Sequence, residues 1–120
     1  MKTKLLLVDD NKNFIQLLKI ALEDEDYEVD TADNGISALS LMEATSYDWL
    51  VSDIQMDKIN GIELSKKVKE RYPLTKIVLI TAFDVPEQIG KLEVEGVLEK
   101  PVHIEVLCRI ISKANNNISK

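Results

Sequence analysis

Short apolar runs alternate along this chain with longer segments in which apolar residues recur every three or four positions. The five runs are residues 5–8, 28–32, 49–51, 77–80 and 97–98. Uninterrupted runs of this length are typical of strands buried on both faces, and the second run, which alternates apolar and polar residues, is the weakest. Strands that alternate with helices predict an α/β fold with a parallel sheet covered on both sides.

Four segments carry an apolar stripe at helical spacing, and a fifth is a poor helix. The stripes are Phe14, Ile15, Leu17, Leu18, Ala21 and Leu22, then Ile36, Leu39 and Met42, then Ile62, Leu64 and Val68, and last Leu107, Ile110 and Ile111. Residues 86–95 are short for a helix and contain Gly90, so the fourth of five helices is expected to be shortened. Right-handed crossovers then favour the flavodoxin-like strand order 2-1-3-4-5.

The size and charge of the chain limit what it can do. Its 120 residues suit a single domain, with a polar, frayed tail expected over residues 115–120. The formal net charge of -6 argues against binding to duplex nucleic acid, which requires a basic face. One cysteine, Cys108, cannot form an internal disulfide. No run is long enough for a signal peptide or a membrane span, so a cytoplasmic protein is expected.

Polar residues with complementary chemistry follow four of the five predicted strands. They are Asp9 and Asp10 after the first strand, Asp53 after the third, Thr81 after the fourth and Lys100 after the fifth. The carboxyl ends of parallel strands meet at one edge of a sheet, and strands 1 and 3 flank the point where the strand order reverses. The sequence therefore predicts three carboxylates beside a hydroxyl and an ammonium group.

This set of groups suits phosphoryl transfer. Three clustered carboxylates oppose one another's ionisation, and a hard divalent cation removes that conflict. Mg²⁺ prefers oxygen ligands and is usually held by one or two carboxylates together with phosphate oxygens. Thr81 and Lys100 would supply the donor and the positive charge that a transferred phosphoryl group needs. A carboxylate in such a site can be the nucleophile and form an aspartyl-phosphate.

Each of these residues also has a structural interpretation when it is taken alone. Asp9 and Asp10 would cap the following helix, and Asp53 would be a turn residue. Thr81 would be a β-branched strand residue, and Lys100 would be a surface lysine. A purely structural interpretation requires all of these explanations to hold together at four separate strand ends. Because that combination is improbable, the set of residues favours a functional site.

Four segments match a known pattern in both order and spacing. They are Leu5-Leu6-Leu7-Val8-Asp9-Asp10, Asp53-Ile54-Gln55-Met56 with Gly61 eight residues after the aspartate, Ile80-Thr81-Ala82, and Lys100-Pro101. With these segments the chain resembles the receiver domain of two-component response regulators, of the chemotaxis-regulator type, over essentially its whole length. Each segment alone is weak evidence, whereas the ordered set is specific.

The resemblance implies a role for each residue of the cluster. Asp53 would accept a phosphoryl group from a phosphohistidine on a sensor histidine kinase or a phosphotransfer protein. Asp10, Asp53 and the backbone carbonyl of Gln55 would bind Mg²⁺ directly, while Asp9 would act mostly through water. Thr81 would hydrogen-bond the phosphoryl group and shift with it.

The resemblance also implies how such a chain operates. Lys100 would pair with a phosphoryl oxygen, the Lys100–Pro101 bond would be cis, and Gln55 and Phe83 would tune hydrolysis of the phosphorylated form. The chain would be a phosphoacceptor switch that catalyses only its own phosphorylation and slow dephosphorylation. Its output would pass to a downstream protein, with dimerisation possible on phosphorylation and no direct contact with nucleic acid or membrane.

Three departures from the family pattern affect how the chain would be expected to pass a phosphorylation signal to a partner. The family usually has an aromatic residue, whose rotation accompanies the threonine shift, where this chain has Val97. Asp57 and Lys58 stand where a proline and a variable residue are usual. Thr81 and Lys100 are 19 positions apart, about three fewer than usual, which shortens the fourth helix or its exit.

Two alternatives to a phosphorylated switch remain open at the level of sequence. The first is a receiver-like module that binds a partner without phosphorylation, which Val97 and the short fourth helix favour. The second is a Mg²⁺-dependent phosphohydrolase of the haloacid-dehalogenase type. Such an enzyme requires two aspartates separated by one residue after a strand, whereas this chain has the adjacent pair Asp9-Asp10 and the lone Asp53.

Overall fold

Five parallel strands form one sheet in the computed structural model, which describes residues 2–56 and 58–118. The strands are β1 (Lys4–Val8), β2 (Glu28–Ala32), β3 (Trp49–Asp53), β4 (Lys76–Thr81) and β5 (Gly96–Glu99). The helices are α1 (Lys12–Asp24), α2 (Gly35–Ala44), α3 (Gly61–Arg71) and α4 (Ile104–Ile118), with a 3₁₀ helix at Glu87–Lys91.

The strand order is β2-β1-β3-β4-β5, which confirms the predicted flavodoxin-like arrangement. The register brings the strand ends level with one another: Val8 pairs with Ser52, and Asp53 pairs with Ile80. The polar residues at the carboxyl ends of β1, β3, β4 and β5 consequently lie along one edge of the sheet. This edge is where folds of this topology place their ligands.

Side chains that alternate along the strands form two separate hydrophobic clusters, one on each face of the sheet. In β1, Leu5 and Leu7 belong to the cluster that also contains residues of α1 and α4. Leu6 and Val8 belong to the cluster that contains residues of α2 and α3. Burial of a strand on both faces accounts for its continuous hydrophobic sequence.

Asparagine side chains cap the first three α-helices. Asn11, Asn34 and Asn60 each accept a hydrogen bond from the backbone N–H three residues ahead, at 3.1, 2.8 and 2.9 Å. Each bond satisfies one of the free N–H groups at a helix start. The helix after β1 is therefore capped by Asn11 and not by the aspartates that precede it.

Gly61 brings the start of α3 against the end of β3. Its N–H donates to the carbonyl oxygen of Ile54 at 2.9 Å. A Cβ atom at position 61 would overlap the backbone carbonyl oxygen of Asp53. Only glycine fits here, because the backbone of the helix start packs directly on the backbone that carries Asp53.

The fourth helical segment differs most from its expected form. The shortened helix is a 3₁₀ helix of five residues, so the described part of the chain contains four α-helices and one 3₁₀ helix where five helices were expected. The last helix extends to Ile118, and the expectation of a frayed tail over residues 115–120 stays a prediction. Ser119 and Lys120 lie outside the described residues. Among the described helices, none combines the length and apolarity required to cross a membrane.

Candidate functional site

Three aspartates lie together at the carboxyl edge of the sheet. Asp9 and Asp10 follow β1, and Asp53 is the last residue of β3. One carboxylate oxygen from each lies within 4.8 Å of the others. Asp9 and Asp53 are buried, while Asp10 is exposed. The predicted acidic cluster is therefore present, with Asp10 at its solvent side.

Lys100 extends from the end of β5 into this acidic cluster. Its Nζ donates to Asp9 Oδ2 at 3.0 Å and lies 3.5 Å from Asp53 Oδ2. In the sheet, β5 is separated from β1 by β3 and β4, so the side chain crosses the ends of two strands. The Lys100–Pro101 peptide bond is cis, as the family resemblance implied.

The two oxygens of the Asp53 carboxylate have different surroundings. Oδ2 faces Lys100, whereas Oδ1 is buried without a hydrogen-bond partner among the described residues. Burial, reinforced by the negative charge of Asp9, raises the pKa of Asp53, although Lys100 and the Gln55 backbone N–H oppose this rise. A buried carboxylate oxygen without a donor is costly unless a further group binds it.

Lys100 remains firmly protonated in these surroundings. Burial alone would lower its pKa, but the hydrogen bond to Asp9 and the charges of Asp53 and Asp9 raise the pKa overall. The site thus combines three acidic side chains with one stable cation. Its negative excess suits a divalent cation, which would relieve the repulsion between the carboxylates.

Asp9 is held by groups on both of its oxygens. Oδ2 accepts from Lys100, and Oδ1 accepts from the backbone N–H of Asn11 at 2.8 Å. Asp53 Oδ1, by contrast, has no hydrogen-bond partner among the described residues, and the carboxylate of Asp10 is exposed to solvent. The donor set that could hold a hard cation directly is consequently centred on Asp10 and Asp53, and it fits Mg²⁺ by its oxygen chemistry.

Thr81, at the end of β4, directs its hydroxyl group toward the loop after β3. Its Oγ1 lies 3.1 Å from the side-chain oxygen of Gln55 and 3.2 Å from the carbonyl oxygen of Phe83. The same Oγ1 accepts from the Phe83 N–H at 3.0 Å. The threonine is fully buried, so its hydroxyl joins the β3–α3 loop to the start of the β4–β5 connection.

Sequence reasoning missed several contacts at the site. Gln55 was expected to bind Mg²⁺ through its backbone carbonyl and to tune hydrolysis, and its side chain also bonds Thr81. Asn11 supports Asp9, and Phe14 contacts Lys100 through its ring. Phe14 had been assigned only to the apolar stripe of α1. The Asn11 cap could have been found, since asparagine is among the most favoured residues at this position.

Val97 and Lys58, two of the positions that depart from the family pattern, are among the described residues. Val97 in β5 is partly buried and packs against the α2 and α3 cluster. Lys58 is exposed and adopts a left-handed conformation, with φ of 67°. Asp57 lies outside the described residues. In the loop after Thr81, the side chain of Phe83 is 67% exposed.

Comparison with known proteins establishes the family. Residues 5–112 match the response regulator receiver domain. The chain belongs to this family, whose members are phosphoacceptor switches of two-component signalling and receive signals from histidine kinases.

Two curated relatives and one solved structure illustrate this similarity. The chain is 32% identical over 114 residues to the transcriptional regulatory protein GlrR of Escherichia coli K12, covering 92% of this chain and 26% of that protein. It is 34% identical over 127 residues to the CpxR homolog of Haemophilus influenzae, covering 98% of this chain and 55% of the homolog. The response regulator TrrA of Thermotoga maritima, in complex with Mg²⁺ and BeF, has a TM-score of 0.83 and 33% identity, covering 94% of this chain and 98% of TrrA.

The chain spans between about a quarter and about half of the length of these two curated relatives. Both relatives carry a transcriptional regulatory name. The match therefore extends to their receiver part alone, because the rest of each relative has no counterpart in these 120 residues.

Proposed function

We propose that this domain accepts a phosphoryl group on Asp53, from a phosphohistidine of a sensor histidine kinase or a phosphotransfer protein, in a reaction that requires Mg²⁺. The observation that carries the proposal is the state of the Asp53 carboxylate at the end of β3. Its Oδ1 is buried with no donor among the described residues, its Oδ2 lies 3.5 Å from Lys100 Nζ, and one of its oxygens lies within 4.8 Å of carboxylate oxygens of Asp9 and Asp10. An oxygen of this kind is suited to act as a nucleophile.

Asp10, Asp53 and the backbone carbonyl of Gln55 are the proposed direct Mg²⁺ ligands. Asp9 is proposed to act through water, because Asn11 and Lys100 already bond its two oxygens. The bound cation would neutralise the carboxylates and polarise the phosphoryl oxygens. The complex of TrrA with Mg²⁺ and BeF supports this assignment by similarity.

In the proposed transfer, a carboxylate oxygen of Asp53 attacks the phosphorus atom. The new bond is an acyl phosphate P–O bond, and the P–N bond to the donor imidazole breaks. The imidazole keeps the electron pair of that bond and takes up a proton. Lys100, whose Nζ is 3.5 Å from Asp53 Oδ2, would pair with a phosphoryl oxygen as negative charge accumulates there.

The switch would follow from a change of partner at Thr81. To bond the phosphoryl group, the hydroxyl must give up its present acceptors, Gln55 and the Phe83 carbonyl. The loop that begins at Phe83 would then adopt a new position, and its exposed ring would change the surface offered to other proteins. The proposed output is a protein contact, including dimerisation, made by a cytoplasmic protein.

The test is incubation of the protein with Mg²⁺ and acetyl phosphate, followed by measurement of its intact mass. We expect one added phosphoryl group in the native protein and none in Asp53→Asn. Asp84→Asn is a matched control, since Asp84 is an exposed aspartate that follows β4. Chelation of Mg²⁺ should prevent the modification in both the native protein and the control.

A module that binds its partner without phosphorylation is the second candidate. The 3₁₀ helix between β4 and β5, where the family pattern has an α-helix, favours it, because the resemblance to receiver domains implies that this segment forms part of the face that contacts partners. Under this alternative, the native protein gains no phosphoryl mass with Mg²⁺ and acetyl phosphate. That result would reject our proposal and leave partner binding as the function to pursue.

A further inference from the structure

The aromatic ring of Phe14 lies against the ammonium group of Lys100. Lys100 Nζ is 4.4 Å from the ring centroid, well within the range of a cation–π interaction. Two other lysines in the described part of the chain face aromatic rings, at 5.6 and 5.8 Å. The Phe14 contact is the closest of these three, and its lysine also meets two carboxylates.

Asp9, Asn11, Phe14 and Lys100 form a closed cycle of contacts. The Asn11 N–H donates to Asp9 Oδ1 at 2.8 Å, and the Asn11 side chain accepts from the Phe14 N–H at 3.1 Å. Lys100 donates to Asp9 Oδ2 at 3.0 Å, and the Phe14 ring completes the cycle. The start of α1 is thereby anchored to the same carboxylate that Lys100 binds.

This cycle restricts a side chain that is otherwise flexible. A lysine has four methylene groups and a large rotamer entropy, and Lys100 must cross the ends of two strands to reach Asp9. Phe14 is half-buried and packs against the hydrophobic cluster of α1 and α4, so its ring is itself fixed. The ring contacts the ammonium group while the ammonium protons remain available to the carboxylates.

We propose that Phe14 is a positioning residue for phosphoryl transfer, whose ring holds Lys100 Nζ between Asp9 and Asp53. The inference deepens the proposed function and rests on it, since Lys100 is the group that would pair with a phosphoryl oxygen. Phe14 does not touch the reacting atoms and acts only through Lys100.

The first measurement is the rate of Asp53 phosphorylation by acetyl phosphate with Mg²⁺ in variants at position 14. Phe14→Leu keeps an apolar side chain but removes the ring, and we expect the rate to fall about 3- to 10-fold. Phe14→Tyr keeps the ring and should stay within about twofold of the native rate. Ile20→Ala, at an exposed position of the same helix, should leave the rate unchanged.

A graded series separates electrostatics from packing. Mono-, di- and trifluorinated phenylalanine at position 14 preserve the shape of the ring while they weaken the negative charge of its face. We expect the rate to fall stepwise along this series. If the native protein is phosphorylated but the fluorinated series and Phe14→Leu react at the native rate, the positioning role is rejected and the proposed function stands.

NMR of the Lys100 side chain decides the inference without any phosphorylation. A ring stacked on Nζ should move the Lys100 ε-proton resonances upfield, and Phe14→Leu should abolish that shift and increase the mobility of the side chain. If this result is found in a protein that gains no phosphoryl group, Phe14 holds Lys100 but the proposed function fails. An unshifted, mobile Lys100 in the native protein overturns the inference.

Discussion

The hydroxyl group of Thr81 lies 3.1 Å from the side-chain oxygen of Gln55, and this contact joins the ends of β4 and β3. A hydroxyl group has one proton to donate. Thr81 therefore cannot bond Gln55 or the Phe83 carbonyl fully and bond a phosphoryl oxygen at the same time. Gln55 therefore stabilises the arrangement that the proposed phosphorylation would have to replace.

Removal of the Gln55 side chain should favour the phosphorylated arrangement. A hydrogen bond of this kind contributes about 1 kcal/mol, so Gln55→Ala should tighten the binding of beryllium fluoride with Mg²⁺ about fivefold. Calorimetric titration measures the affinity. In a Thr81→Val background, the same substitution should have no effect, and equal tightening in both backgrounds would exclude the contact as the cause.

Asp53→Asn should stabilise the protein at neutral pH when Mg²⁺ is removed. The pKa of Asp53 is raised above its ordinary value of 3.8, mainly by burial and then by Asp9. Between the ordinary value and the raised one, the native state binds more protons than the unfolded state, so native stability falls as the pH rises through this window. Asparagine carries no such charge.

Urea unfolding of Asp53→Asn in chelator, across a pH series, measures this difference. Native protein and variant should be equally stable below the ordinary pKa, and above it the variant should be the more stable of the two. In thermal unfolding of the same two proteins, each 1 kcal/mol of added stability should raise the melting midpoint by about 4 °C. The exposed substitution Asp84→Asn serves as the control. A variant less stable than the native protein at neutral pH would show that Asp53 is not under electrostatic strain.

Lys100→Met should change Mg²⁺ binding and phosphorylation in opposite directions. Loss of the cation makes the site more negative, so Mg²⁺ affinity should rise about threefold or more. The rate of phosphorylation should fall about 100-fold, because the charge that we propose to pair with the phosphoryl group is gone. Titration with Mg²⁺ and the acetyl phosphate assay measure the two effects.

Lys113→Met removes the same charge from an exposed position on α4 and is the matched control for Lys100→Met. It should leave both the Mg²⁺ affinity and the rate close to native. A Lys100→Met protein that is phosphorylated at the native rate would remove Lys100 from the proposed mechanism.

Gly61→Ala should destabilise the fold strongly. The new Cβ would overlap the carbonyl oxygen of Asp53 and come within 2.9 Å of Ile54 Cα, and both obstacles are backbone atoms that cannot rotate away. We expect a loss of about 2–4 kcal/mol in the free energy of unfolding, measured with urea.

Gly90→Ala provides the contrast, because a Cβ at position 90 meets nothing within 4 Å. Its free energy of unfolding should stay within about 1 kcal/mol of the native value. Equal effects of the two substitutions would mean that α3 can move away from β3 without cost.

The arrangement of the acidic cluster could be predicted because it depends on topology. Once Asp9 and Asp53 follow neighbouring parallel strands, the register alone brings them to one edge of the sheet. The low helix propensity of the segment between β4 and β5 could also be predicted, since Gly90 lies within a short segment that has few apolar residues. Such features are set by hydrophobic pattern and by residues with special backbone requirements.

Contacts between side chains distant in the sequence could not be predicted in the same way. The stacking of Phe14 on Lys100 and the bond between Thr81 and Gln55 depend on rotamers that tertiary packing selects. The extent of the last helix depends on a different factor. The asparagines at 115–117 have low helix propensity, yet the helix that begins at Ile104 continues through them to Ile118.

The two hydrophobic clusters divide the site between the faces of the sheet. Phe14 belongs with the cluster of α1 and α4, whereas Val97 and Ile89 belong with the cluster of α2 and α3. Substitutions in well-separated clusters are energetically additive when they share no partner. The part of the site that we propose to receive a phosphoryl group and the part that we propose to transmit the signal can therefore diverge independently during evolution. A new partner contact would then not require a new phosphoacceptor.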